Sequence, residues 1–460
     1  MSTGSTPDIG IRGIRRAAWT SIKARYAGSS GSSRLARAAS WNVAGGAASR
    51  FLSLAASFLV ARSLGKAGFG QLGMVQSTFL MLGVFASLGL GMTATRFISL
   101  YRPTSPDRAG RIAAIAPLGA GLLAALGALG VLVFAPWLAK VGLNNADLAP
   151  VLRLAAPLLL LGALQDASQG VLAGLEAFRV LARVTAIAGT ALAVGMIAGA
   201  QVNGLHGCIL GMVIGMTLGY TVTLLAVRAE IRRAGLSPKL SGWAAEIPSL
   251  WRFALPAMLC GGVVLPVNWL ANSLLIHQPQ GDEQMGLFSA AHQMRIVILY
   301  VPGLVATAGL PVLTHLWKHT SGNEYFRLIR LKVAIGFITS SLVAIPAILA
   351  APWIMAGFGP GYPDGVPVLR VLAGTAIITA TLNMIGQAII SEGRMWTGLL
   401  LNFIWAGILI SLSWYWIPSH GALGLAWANL AAFSVHLVAF SVYVLRRSRE
   451  TGPRHAPSPA

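Results

Sequence analysis

Apolar residues in this chain come in long runs, interrupted by short polar segments that carry most of the charge. A helix needs about 20 apolar residues to cross the hydrocarbon of a bilayer. Lipid offers no partner to a free backbone N–H or C=O, which leaves only helices or closed barrels as spanning structures. The runs are too long for barrel strands, so the pattern predicts an all-α polytopic membrane protein. Twelve spans are expected, at approximately 41–63, 73–100, 112–135, 149–173, 180–201, 204–227, 251–273, 285–314, 331–352, 367–389, 396–416 and 420–445. The least distinct separation lies near Asn203, between the fifth and sixth.

Lys and Arg concentrate on the cytoplasmic side of membrane helices, so alternate loops can be tested against each other. Of the 34 basic residues, 26 fall on one side of the twelve-span arrangement and three (Arg62, Lys66, Lys140) on the other. The remaining five (Arg50, Arg96, Arg153, Arg295, Arg370) lie within spans. A helix missed in mid-chain would destroy this asymmetry. It therefore predicts an even number of spans with both termini in the cytoplasm.

The longest polar connection, 228–250, contains Arg228, Arg232, Arg233, Pro238 and Lys239 and separates six spans from six. The expected organisation is a disordered basic tail (1–40), a six-helix lobe (41–227), a linker (228–250), a second six-helix lobe (251–446) and a tail (447–460). Weak internal similarity fits this division. Gly70-Gln71-Leu72 matches Gly286-Leu287-Phe288 at an offset of 216 residues, and Gly170 matches Gly386 at the same offset. Repeats six spans apart share their topology, which suits two pseudo-symmetric lobes around a central cavity.

Composition agrees with lipid as the main solvent: 55% of residues are hydrophobic and 10% charged, against about 25% charged in soluble domains. The net charge of +21 could suggest nucleic-acid binding. Its placement between apolar runs argues instead for topology, so no nucleic-acid partner is expected. Cys208 and Cys260 both sit inside apolar runs and read as small hydrophobes, with no metal pair. Residues 1–40 show no continuous apolar stretch of the kind a cleaved signal needs. No phosphate-cradling G-x-x-x-x-G-K-[ST] loop occurs, and no non-cytoplasmic loop offers the length and paired acids of a membrane glycosyltransferase. Neither a cofactor nor catalysis is expected.

Charges inside spans are costly in hydrocarbon and usually face a bundle interior or an aqueous cavity. Arg50 and Arg295 each lie about ten residues into a span, roughly 15 Å along a helix. His292 shares the face of Arg295, and Gln76 shares one with Phe79 and Leu80. Arg96 belongs to a polar stripe with Thr93, Thr95 and Ser99, whereas Arg153 and Arg370 are close enough to span ends to snorkel. Asp166, among Gln165, Ser168 and Gln169, is the acidic residue deepest in a span. It suits either ion coupling or the neutralisation of an arginine. Prolines 256, 266, 302 and 311 mark the seventh and eighth spans as able to bend. Gly207, Gly211, Gly215 and Gly219 recur every fourth residue as a surface for close helix contact.

Several segments resemble bacterial polysaccharide-biosynthesis flippases of the multidrug/oligosaccharidyl-lipid/polysaccharide exporter superfamily. They are Ala61-Arg62-Ser63-Leu64-Gly65 with Phe69-Gly70, Gly89-Leu90-Gly91 through Arg96-Phe97, Gly170 through Arg179, and Arg252-Phe253-Ala254-Leu255-Pro256. The resemblance extends over residues 40 to 446. It implies a secondary transporter in the bacterial inner membrane that moves undecaprenyl-pyrophosphate-linked oligosaccharides from the inner to the outer leaflet by alternating access. Arg50 and Arg295 would then attract the anionic headgroup, Gln76 and His292 would bond sugar hydroxyls, Arg96 would be a further substrate-binding residue, and Asp166 would be the coupling carboxylate. Expected partners are the lipid-linked oligosaccharide, membrane lipids, and polysaccharide polymerase and export machinery. The alternatives are a cation-coupled multidrug exporter of the same fold, disfavoured by Arg50 where such exporters carry acids, a peptidoglycan-precursor flippase, which usually has additional helices, and a polytopic glycosyltransferase or ligase.

Overall fold

A computed structural model describes residues 30–238, 241–242, 246, 262–308, 313, 322–392 and 394–450. Among them the regular structure is entirely helical. In chain order the α-helices are α1 (Ser30–Ser87), α2 (Leu90–Tyr101), α3 (Pro106–Trp137), α4 (Ala149–Gly174), α5 (Phe178–Arg233), α6 (Val264–Ile276), α7 (Gly281–Ala308), α8 (Gly322–Leu349), α9 (Ala351–Phe358), α10 (Val366–Ser391) and α11 (Met395–Glu450). Among the described residues eight helical stretches are long and apolar enough to cross a membrane. Leu118, Leu122, Leu126, Leu129, Val133 and Phe134 of α3 point outward with their side chains exposed, an arrangement that only an apolar solvent makes favourable.

The three longest candidate helices are each interrupted: α1 at Gly65, α5 at Asn203–Gly204 and α11 at Gly421. Gly204 (φ 50°, ψ −133°) and Gly421 (φ 54°, ψ −129°) adopt nearly the same backbone, closed to residues with a Cβ, so each reverses the chain without a loop. The weak separation near Asn203 is thus a true break. Within the expected span 73–100, Leu88 and Gly89 both have positive φ, ending α1 and starting α2. Hydropathy does not register this bend, because the residues around it remain apolar.

The two parts of α5 pack backbone to backbone. A Cβ on Gly195, Gly199, Gly207 or Gly211 would strike the carbonyl of a glycine on the opposite part, and one on Gly215 the carbonyl of Ala191. The four-residue glycine spacing is the contact surface of this pair. Of the prolines expected to permit bends, Pro266 lies within α6 and Pro302 within α7. Pro256, Pro311, Cys260 and the Arg252–Pro256 motif lie outside the described residues.

Element lengths repeat along the chain. α4 and α10 are each 26 residues long, α5 and α11 each 56, and the later member of each pair begins and ends 217 positions after the earlier. The breaks at Gly204 and Gly421 keep the same spacing. Gly70 and Gly286 meet directly. A Cβ on Gly70 would strike the Asp282 carbonyl, and a Cβ on Gly286 would strike the Lys66 carbonyl. Residues 66 and 70 stand 216 positions before 282 and 286, so this contact is reciprocal, as expected where two copies of one motif meet across an approximate two-fold axis.

One residue of the expected linker is tied down firmly. The buried Glu246 carboxylate accepts bonds from Arg108 at 3.1 and 2.9 Å and from Arg111 at 3.0 Å, and the Arg108 guanidinium lies 4.1 Å from the centre of the Tyr101 ring. Hydrogen bonds from Arg108, then Arg111, hold the Glu246 carboxyl below its ordinary value of 4.5. A depressed carboxylate stabilises the fold above that ordinary value, and the contribution fades as pH falls through the folded one. Glu246→Gln is therefore expected to lower stability by about 1–3 kcal/mol at pH 7. Thermal unfolding should show this gap undiminished at pH 6 and closing as the pH drops below 4.5.

Candidate substrate cavity

A cavity of about 580 Å³ lies between the second part of α1 and α6, α7, α10 and α11. Its lining mixes apolar side chains with uncharged polar ones. Seven carboxamides (Gln76, Asn268, Asn272, Gln293, Asn383, Gln387 and Asn402) line it together with His292, His436 and several aromatic rings. Among the described lining residues Arg295 is the sole charged side chain, and there is no carboxylate.

Arg295 is 7% exposed. Its Nη2 donates to Thr379 Oγ1 at 3.3 Å, its guanidinium lies 4.9 Å from the centre of the Phe433 ring, and its Nε has no protein partner. No ion pair among the described residues involves it. An interior cation normally has a counter-charge, and no described residue supplies one here. His292, one turn away, stacks on Phe288 with ring centres 6.1 Å apart. Gln76 reaches the same space from α1 and contacts Met212 Sδ at 3.9 Å.

Three of the six residues singled out from sequence, Gln76, His292 and Arg295, thus converge on one cavity. The other three do not line it. Arg50 is exposed on the first part of α1, where its charge acts on Tyr300. Arg96 is exposed on α2, with its guanidinium 5.8 Å from the centre of the Phe97 ring. Asp166 on α4 is bonded to the backbone of Gly91, in the first turn of α2. A carboxylate there suits the positive end of the helix dipole. No ion pair among the described residues involves Asp166.

Sequence reading passed over the wall contributed by α10 and α11, including Gln387, Asn402, Trp405, Phe433 and His436. Its signal was present: uncharged polar side chains recur inside apolar runs. Weighing chiefly charged residues hid it.

At the end of the molecule that carries Lys66, the two halves of the chain are joined. Lys66 Nζ pairs with Glu283 at 3.0 Å and Asp364 at 3.7 Å, Gln71 donates to Asp282 at 2.9 Å, and Arg62 donates to the Gly357 carbonyl at 2.8 Å. Tyr362 donates to the Gly65 carbonyl at 3.2 Å, and Phe58, Phe69, Phe358 and Tyr362 form a ring cluster beneath these contacts.

Long apolar helices enclose a cavity lined by amides, aromatic rings and one arginine, an arrangement that suits transport across the membrane. The chain belongs to the polysaccharide biosynthesis protein family, whose model matches residues 35–317. It is 24% identical over 403 residues to the EPS I polysaccharide export inner membrane protein EpsE of Ralstonia solanacearum, covering 87% of this chain and 91% of that one. It is 23% identical over 443 residues to the lipid III flippase of Escherichia coli (strain K12), covering 90% and 99%. In fold it is similar to an inward-facing multidrug resistance MATE family transporter of the MOP superfamily, with a TM-score of 0.74 at 15% identity and coverage of 88% and 96%.

Proposed function

We propose that this protein flips undecaprenyl-pyrophosphate-linked oligosaccharides from the inner to the outer leaflet of a bacterial inner membrane, supplying synthesis of a surface or secreted polysaccharide. The observation that carries this reading is the composition of the cavity: one buried, unpaired arginine, seven carboxamides and no carboxylate among the described lining residues. A cavity for organic cations needs acids, and this one would repel them. A guanidinium suits phosphate oxygens, and carboxamides both donate to and accept from hydroxyls. Names of the relatives point the same way, one to polysaccharide export and one to a lipid flippase.

In this scheme the chain crosses the membrane twelve times. Splitting the three broken helices turns eight apolar stretches into eleven, and the shorter α6 makes twelve. Two six-helix lobes then follow from the 217-residue repeat of α4–α5 in α10–α11. The excess of Lys and Arg puts both termini in the cytoplasm and the Lys66 end toward the outer leaflet. In that orientation the Lys66 cluster would close the outer end, and the cargo would load from the cytoplasmic leaflet. Arg50 and Arg96, both exposed and outside the cavity, would act as approach charges for the headgroup. Asp166 would couple transport to an ion through the start of α2, because a proton gained or lost there changes the anion presented to Gly91. The polyprenyl tail stays in lipid, and polymerase and export proteins receive the product.

Deleting the gene in its host should remove surface polysaccharide and leave lipid-linked repeat units on the inner leaflet, protected from glycosidase added to intact spheroplasts. Re-expression should restore exposure. Unchanged exposure in the deletion strain would exclude the flippase reading, and a gain in drug tolerance on expression would favour the exporter.

A further inference from the structure

An anion at Arg295 leaves the α10–α11 side of the cavity without a task. There the Trp405 and Phe433 rings lie 5.2 Å apart, Trp405 and His436 6.3 Å, and His436 and Phe440 4.6 Å, which makes one continuous aromatic wall. A bond to the backbone of Leu401 holds the His436 ring in place. Trp405 is 2% exposed, yet its indole Nε1 has no protein partner, and the Gln387 Oε1 beside the same cavity has none either. Buried donors and acceptors are rarely left unpaired in folded proteins. A donor and an acceptor both unpaired at one cavity point to a ligand group that can accept and donate, as a hydroxyl or an N-acyl group does.

A hydrocarbon tail would waste both polar atoms. A uronic acid would need a cation besides Arg295, and the described lining offers none. An amino sugar with a free ammonium would need an acid, and that too is missing. Pyranose rings, by contrast, present C–H faces to aromatic walls and hydroxyls to amides. We infer that Trp405, Gln387 and the wall around them form a saccharide subsite for uncharged sugars of the cargo, separate from the anion position at Arg295. This inference rests on the flippase reading and assigns the sugar class within it.

The test uses full-length protein in lipid nanodiscs and three probes: undecaprenyl pyrophosphate alone, the same carrier bearing a neutral N-acetylglucosamine–galactose disaccharide, and one whose terminal sugar is glucuronic acid. Wild-type protein should bind the neutral glycolipid at least tenfold more tightly than the bare carrier and the acidic one no more tightly than the neutral. Trp405→Phe, which keeps a ring and loses the N–H, and Gln387→Met, which keeps the length and loses the amide, should each remove about five- to tenfold of that preference. Binding of the bare carrier should be unchanged in both variants, which also reports an intact fold. Equal wild-type affinity for bare and neutral carriers, or tighter binding of the acidic one, would overturn the subsite while leaving the flippase reading standing. Wild-type protein that binds no carrier would overturn both.

Discussion

Arg295→Gln is expected to abolish transport and, at the same time, to make the protein more stable. The guanidinium is 7% exposed, holds one 3.3 Å hydrogen bond, rests on the Phe433 ring and pairs with no carboxylate among the described residues. Keeping a cation in such surroundings costs several kcal/mol, and glutamine removes that cost while retaining a donor for Thr379. The expected gain is about 1–3 kcal/mol, read as a higher unfolding midpoint. Function should move oppositely. Two charge-assisted hydrogen bonds to a phosphate group, each worth about 1.5–3 kcal/mol, correspond to a loss of at least a hundredfold in headgroup binding. Arg295→Lys keeps the charge but not the fork of donors, so roughly a tenfold loss is expected. Outer-leaflet delivery of lipid-linked oligosaccharide, measured beside thermal unfolding, checks both signs. Normal delivery by Arg295→Gln would eliminate the anion position.

The second large effect is expected at the junction of the two halves. Gly70→Leu places a side chain where the Asp282 carbonyl and the Gly286 backbone now sit, so α1 and α7 must separate. Backbone atoms cannot rotate aside as a side-chain tip can, and a well-packed contact resists even one added methylene. Loss of at least 3 kcal/mol and of most transport is expected, because Gln71–Asp282 and Lys66–Glu283 flank the same contact and would be pulled apart with it. Gly286→Leu, facing the Lys66 carbonyl, should have a matching effect, as the reciprocal geometry requires. Gly83→Leu, on the same helix with nothing near its Cβ position, is the control. Protein yield, unfolding midpoint and cross-linking between cysteines placed at positions 71 and 282 distinguish the three variants. A Gly70→Leu protein with wild-type stability would mean that the halves do not meet in the membrane as they do here.

Much of the fold was legible because the bilayer constrains sequence locally. The expected span 149–173 corresponds to α4, Ala149–Gly174, and 367–389 to α10, Val366–Ser391. The glycines of α5 announced their own contact through a four-residue spacing that only helix packing explains. The cavity was legible in part. His292 and Arg295 share a helix face by simple periodicity, and both line it. Arg50 and Arg96 carried the same signal of a charge within a span but lie exposed elsewhere, since depth along a helix says nothing about which side of the bundle a residue faces.

The sequence by itself determined that this is an all-helical membrane protein and roughly where its helices run, and it offered a weak match between its two halves. Each of these is a property of one segment meeting lipid or of two segments compared by position. Tertiary structure alone decided what surrounds the cavity. The bend at Leu88–Gly89, the reversals at Gly204 and Gly421, and the seating of Gly70 on Gly286 set how the helices they join turn and approach one another. They bring Gln76 to Arg295 across about 220 residues of chain, turn Trp405 and Gln387 inward, and leave Asp166 at the start of α2. A side chain reaches a shared cavity only through the packing of the helix that carries it, and that packing is fixed by contacts with helices far away in the chain.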